Sequence, residues 1–124
     1  MNQEIEEVLE PYWSDNAVWR FAEIGSGWNQ IVIDLVVDLV AAYPNFKVVQ
    51  VKEKFGGLRF YVENVTLDYS GQPLAESFFS ERIREAEELS FATCDVCGAK
   101  GSSEGSQGWV MTRCKTHEGG QQGW

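Results

Sequence analysis

Three cysteines and one histidine carry the chemistry in this chain: Cys94 and Cys97 in C-D-V-C, then sixteen intervening residues, then Cys114 and His117 in C-K-T-H. They are every thiol and the only imidazole the sequence holds. Zn²⁺ favours thiolate and imidazole donors, and each short pair turns tightly enough to set both of its donors on one ion. The spacing therefore predicts a tetrahedral Cys₃His site. Four protein ligands complete the coordination sphere, whereas a catalytic zinc keeps three and leaves a position open. One structural Zn²⁺ per chain is the expectation. Gly98, directly after the second cysteine, suits a knuckle whose backbone N–H groups turn toward the sulfurs.

The rival reading is a redox-active Cys94/Cys97 pair, but C-x-x-C here lacks the βαβ setting of thioredoxin-like motifs. The H-x-E…P-C-x-x-C pattern of zinc deaminases is missing. With the thiols and the imidazole committed to metal, no Ser–His–Asp or Cys–His arrangement is left. Glu85, Glu87 and Glu88 read as the wet face of a helix. A non-enzymatic protein is expected.

These ligands need elements to hold them. Gln3 to Leu9 has helical character and is limited by Pro11. An aromatic stretch with Tyr12, Trp13, Trp19 and Phe21 follows, and Gly25-Ser26-Gly27 breaks the chain. From about Asn29 to Tyr43, Ile31, Leu35, Val36, Leu39 and Val40 recur at helical spacing, with Pro44 as the stop. Phe46 to Glu53 and Leu58 to Val65 read as two strands joined through Lys54-Phe55-Gly56-Gly57, whose glycines supply the positive φ of a tight hairpin. A loop spans Asp68 to Pro73. A second long helix runs from about Leu74 to Phe91, with Phe79, Ile83 and Ala86 as its buried stripe. It leads straight into Cys94, and Gly108 to Thr112 reads as a short strand delivering Cys114.

Charge is uneven. Of the net −9, all falls in residues 1–90, which hold 16 acids and 7 bases; residues 91–124 are balanced at 3 and 3. Neither part offers the basic field that non-specific nucleic-acid binding needs. An acidic surface serves solubility, and it also attracts basic partners such as nucleic-acid-binding proteins. No apolar run reaches the roughly 18–20 residues of a membrane span. The acidic N-terminus lacks the basic start of a signal peptide, and thiols set as metal ligands fit a reducing compartment. The expected location is the cytoplasm.

Lys52-Glu53-Lys54-Phe55-Gly56-Gly57-Leu58-Arg59 concentrates positive charge in the acidic part. It does not match G-x-x-x-x-G-K-[ST]. It reads as a hairpin with a solvated charged face, as an anion site, or as the best small patch for a polar partner. Five tryptophans are many for 124 residues. Most serve packing, and an exposed Trp13, Trp19 or Trp124 would anchor an interface. The candidate partner residues are Lys52, Lys54, Arg59, Trp13 and Trp19.

Gly27-Trp28, the block Q-V-K-E-K-F-G-G-L-R-F-Y at 50–61, Ala86-Glu87, Ser90, T-C-D-V-C-G at 93–98, Gly101 and G-W-V-M-T-R-C-K-T-H at 108–117 resemble a family of small uncharacterised proteins common in bacteriophages and prophages. The likeness covers about residues 25–117. It implies a viral or mobile-element origin and metal binding at Cys94, Cys97, Cys114 and His117. It brings no established activity.

The expectation is an α+β fold: a small antiparallel sheet or β-hairpin packed on two helices, with a C-terminal zinc knuckle. Residues 1–92 form an acidic body, 93–118 a docked knuckle and 119–124 a flexible tail. The leading expected function is a zinc-stabilised interaction protein, phage-encoded. It binds a host protein and inhibits a host nucleic-acid-binding or defence complex, in the manner of an anti-CRISPR. The alternative is a zinc-dependent nucleic-acid-binding module using Lys52, Lys54 and Arg59 together with Lys100, Arg113 and Lys115.

Overall fold

A computed structural model describes residues 2–63, 76–106 and 109–117. The expected loop at Asp68–Pro73, the start of the second long helix, Val65, Gly108, Trp124 and the tail lie outside the described residues. The elements are α1 (Gln3–Leu9), β1 (Ala22–Glu23), α2 (Asn29–Ala42), β2 (Val48–Lys54), β3 (Gly57–Val62), α3 (Glu76–Ser90), β4 (Ser102–Ser106) and β5 (Trp109–Arg113). The class is α+β.

Local chemistry sets the ends of these elements. A 3₁₀ turn at Glu10–Tyr12 with Pro11 inside it ends α1. A second, at Ser26–Trp28, feeds α2. Tyr43 leaves α2 in an extended conformation (φ −153°, ψ 94°), as the residue before a proline must to escape the ring. Phe55 and Gly56, at φ 54° and 83°, form the two-residue loop of the β2–β3 hairpin, the positive-φ geometry that matches strand twist.

The main sheet has the order β1-β2-β3 and is mixed, where the hairpin alone is antiparallel. Its added strand is β1, parallel to β2, with Ala22 beside Val51 and Glu23 beside Lys52. Two residues are too few to show an alternating pattern, so nothing in the sequence announced it. A register shift between Val48 and Gln50 places Val48 and Val51 both inward. They join Leu58 and Phe60 in one core with Val32, Leu35 and Leu39 of α2, Phe79 and Ala86 of α3, and Ile5 and Leu9 of α1. Phe46 links the layers, stacked on Tyr12 at 5.1 Å and edge-on to Phe79 at 6.3 Å.

Both rims of the main sheet are closed by helix side chains. Along β3, the Leu58 N–H donates to Ser90 Oγ (2.8 Å) and the Phe60 N–H to Glu87 Oε2 (3.1 Å). At β1, the Ala22 N–H donates to Glu6 Oε1 (2.6 Å). Glu87 thus leaves the set of merely solvated acids: it satisfies a backbone donor that an edge strand would otherwise expose.

Candidate metal centre

The four predicted ligands converge. Cys94 and Cys97 sit in the turn after α3, Cys114 directly after β5, and His117 three residues on. One donor atom from each lies within 4.8 Å of all the others. Cys97 Sγ is 3.7 Å from Cys114 Sγ, and His117 Nδ1 is 3.5 Å from Cys94 Sγ and 3.2 Å from Cys114 Sγ. A tetrahedron with Zn–S of about 2.3 Å and Zn–N of about 2.0 Å has edges of about 3.8 Å between sulfurs and about 3.5 Å between sulfur and nitrogen. The cluster can hold a metal ion, and its size and donor set are compatible with zinc.

Backbone geometry shapes each pair. The Cys94 N–H donates to Ala99 O (2.7 Å) and the Gly98 N–H to Cys94 O (2.9 Å). Gly98 takes φ 84°, so the turn needs a residue free of Cβ strain there. The His117 N–H returns to Cys114 O at 3.0 Å, bringing the imidazole back over its own cysteine.

Two of the three sulfurs, those of Cys94 and Cys114, are shifted toward the thiolate that a cation needs. Burial pushes the Cys94 thiol up, but N–H donors from Cys114, Cys97 and Val96 outweigh it and hold Cys94 at about 6. Burial also opposes ionisation of Cys114, and the His117 contact wins and lowers it. His117 is raised by its contacts with Cys114 and Cys94. At Cys97 the Ala99 N–H acts to lower the thiol; burial and the neighbouring sulfurs prevail and raise it. A metal ion held here would displace the protons that remain on these groups, so its binding would release them to solvent.

Each half of the knuckle is pinned to the other and to the body. Arg113, one residue before Cys114, pairs with Asp95, one after Cys94, at 2.7 Å with both side chains at most 2% exposed. The Asp95 N–H also donates to Thr112 O (3.0 Å). Sequence reasoning missed this pair; the available signal was an acid and a base each adjacent to a ligand on opposite halves of the site. Toward the body, the Gly27 N–H donates to Asp95 O (3.0 Å) and the fully buried Trp28 indole to Thr93 O (2.8 Å). A Cβ on Gly27 would sit 2.1 Å from Cys94 O. At the other end, Thr112 Oγ1 donates to Gly56 O (2.6 Å), and a Cβ on Gly57 would meet the Phe91 ring at 2.2 Å. Gly27-Trp28 and Gly56 are therefore docking surfaces for the knuckle, while Gly57 makes room for the Phe91 ring at the end of the body.

The candidate partner residues separate. Trp13 is half-buried, packs on the core and bridges to Val48, so it is no free anchor. Trp19 is 54% exposed, edge-on to Phe21. Lys52, Lys54 and Arg59 lie together on the outward side of the β2–β3 hairpin, with Lys52 directly opposite Arg59. Arg113, counted among nucleic-acid contacts from sequence, is excluded from that role by its burial against Asp95. No helix among the described residues is long and apolar enough to cross a membrane.

Compared with known proteins, the chain matches no family model, no curated protein and no solved structure.

Proposed function

We propose that this is a non-catalytic interaction protein whose C-terminal knuckle is stapled by one structural Zn²⁺. One observation carries the reading: three thiols and one imidazole close a four-donor site, leaving no ligand position for substrate. The metal's role is then to hold Trp28, the hairpin turn and the knuckle in one arrangement.

The remaining parts of the proposal rest on sequence. The resemblance of residues 25–117 supports a phage or prophage origin, and net charge −9 supports a basic partner in the host cytoplasm. We take that partner to be a host protein, part of a nucleic-acid-binding or defence complex that this protein inhibits. Elemental analysis of protein purified without chelator is expected to give one zinc per chain. Affinity capture from bacterial lysate is expected to retain a stoichiometric protein that elutes as salt rises. Absence of stoichiometric metal overturns the staple, and absence of a stoichiometric protein overturns the partner.

A further inference from the structure

In a chain with 19 acids and 10 bases, a positive charge should find a carboxylate easily. Four of the five arginines do: Arg20 with Asp15, Arg82 with Asp38, Arg84 with Glu88, and Arg113 with Asp95. Arg59 is the exception. Among the described residues it forms no ion pair, and its Nε is buried without an acceptor. Its cross-strand neighbour is Lys52, another cation with no ion pair among those residues. Like charges directly opposite in a sheet repel, and an anion bridging them reverses that cost.

The surroundings of the pair have a definite layout. Ala22, Val51 and Phe60 form an inward row of the sheet and are buried. By alternation the rows on either side of it face outward. One contains Lys52 and Arg59, the other Gln50 and Tyr61. Lys54 extends the cations toward the hairpin tip. Tyr61 is 44% exposed at one end and Phe55 58% exposed at the other. Phe55 is the one non-glycine at positive φ among the described residues, a place where asparagine, aspartate or glycine is the ordinary choice. A large apolar side chain held outward on a disfavoured backbone points to a use for that side chain. The Lys54 ammonium stands 5.5 Å from its ring centroid, adding charge beside the aromatic.

We propose that this outer face of the β2–β3 hairpin binds a short acidic segment of a partner protein, with carboxylates on Lys52, Lys54 and Arg59 and apolar residues at either end on Phe55 and Tyr61. The inference rests on reading the chain as a protein-binding module and adds the surface and the partner's chemistry. Charge complementarity selects the occupant. The patch spans about 13 Å along the strands, or about four extended residues. Glu23 borders it beside Lys52, and Glu63 follows β3 just beyond Tyr61. A nucleic-acid strand, with a charge on every nucleotide, would run off the patch into those carboxylates; two or three acids in a short peptide stay within it.

The test is selection from a random twelve-residue peptide library on the full-length, zinc-loaded protein, followed by fluorescence polarisation with the recovered peptides and with dT12. Recovered peptides are expected to carry at least two adjacent acids beside an apolar residue. Their affinity is expected to fall about tenfold with Arg59→Ala, and likewise with Lys52→Ala, as loss of a charge-assisted contact implies. Thermal unfolding of each variant separates lost binding from lost folding, and Phe55→Asn is expected to weaken binding without lowering stability. Recovery of basic peptides, or acidic peptides that bind the Lys52→Ala/Arg59→Ala double variant equally well, overturns this surface and leaves protein binding standing. Recovery of no peptide, or tighter binding of dT12 than of any peptide, overturns both.

Discussion

The two hairpins of this protein are built on opposite principles. In β2–β3, Val48, Val51, Leu58 and Phe60 are each at most 2% exposed, and burying such side chains contributes about 1.5–3 kcal/mol apiece. In β4–β5 the first strand is Ser-Ser-Glu-Gly-Ser, which has no apolar side chain to bury. Its partner strand is held through Thr112 on Gly56 and Arg113 on Asp95. The first hairpin is fixed by many interchangeable contacts. The second depends on a few specific ones, and a metal ion on the four converging ligands would add the strongest of them.

Metal removal should break the comparison open most widely. Structural zinc contributes about 10–16 kcal/mol of apparent binding free energy in small zinc-folded peptides at neutral pH. A strong chelator is therefore expected to abolish amide-exchange protection across 94–117 while amides in α2 and β2–β3 stay protected. Simultaneous loss in both regions would show that the hairpins share one cooperative unit. Next in size is Asp95→Ala, which leaves Arg113 buried without its carboxylate; a loss of about 3–5 kcal/mol in chemical denaturation is expected. Lys52→Ala, on the outer face, should change stability by less than about 0.5 kcal/mol.

Removing a rim contact should have a smaller effect on the first hairpin. Glu87→Ala is expected to cost about 1–2 kcal/mol by orphaning the Phe60 N–H, and Glu87→Gln, which keeps an acceptor, should cost less. Phe55→Asn is expected to raise stability by about 0.5–1 kcal/mol, because it gives the loop an Asn-Gly pair suited to positive φ. The smallest effect concerns Glu63, whose carboxyl is held below its ordinary value by hydrogen bonds from Ser14 and Asn16. A depressed acid adds stability that is complete above its unfolded value and disappears as pH falls through the folded one. NMR titration should find Glu63 ionised below pH 4.5, and Ser14→Ala should move its midpoint back up.

The same contrast decides what could be read from the sequence. α2 was legible because Ile31, Leu35, Val36 and Leu39 repeat at helical spacing and are all buried. The hairpin was legible from the alternation of Leu58, Phe60 and Val62, though its positive-φ pair is Phe55-Gly56 and not the expected Gly56-Gly57, which puts Gly57 in β3. The metal cluster was legible from ligand spacing alone. β4 was not legible, because Ser102–Ser106 becomes a strand only by pairing with β5. β1 is two residues long, and its place depends on β2 and Glu6. The Asp95–Arg113 pair was hidden because charged residues are usually solvated, and only the fold reveals a buried exception. Glycines gave half their meaning: the hairpin loop was visible in Gly56, while the demand at Gly27 comes from Cys94, 67 positions away in the chain.

A sheet grows when a foreign strand finds free N–H groups along its rim. Here Glu6 occupies one rim, and Glu87 with Ser90 the other. Three backbone donors that a fourth strand would need are thereby occupied, which lowers the tendency of this sheet to pair edge to edge with another chain. The partner proposed above would correspondingly dock across the broad side of the sheet, where side chains and not backbone amides would do the recognising.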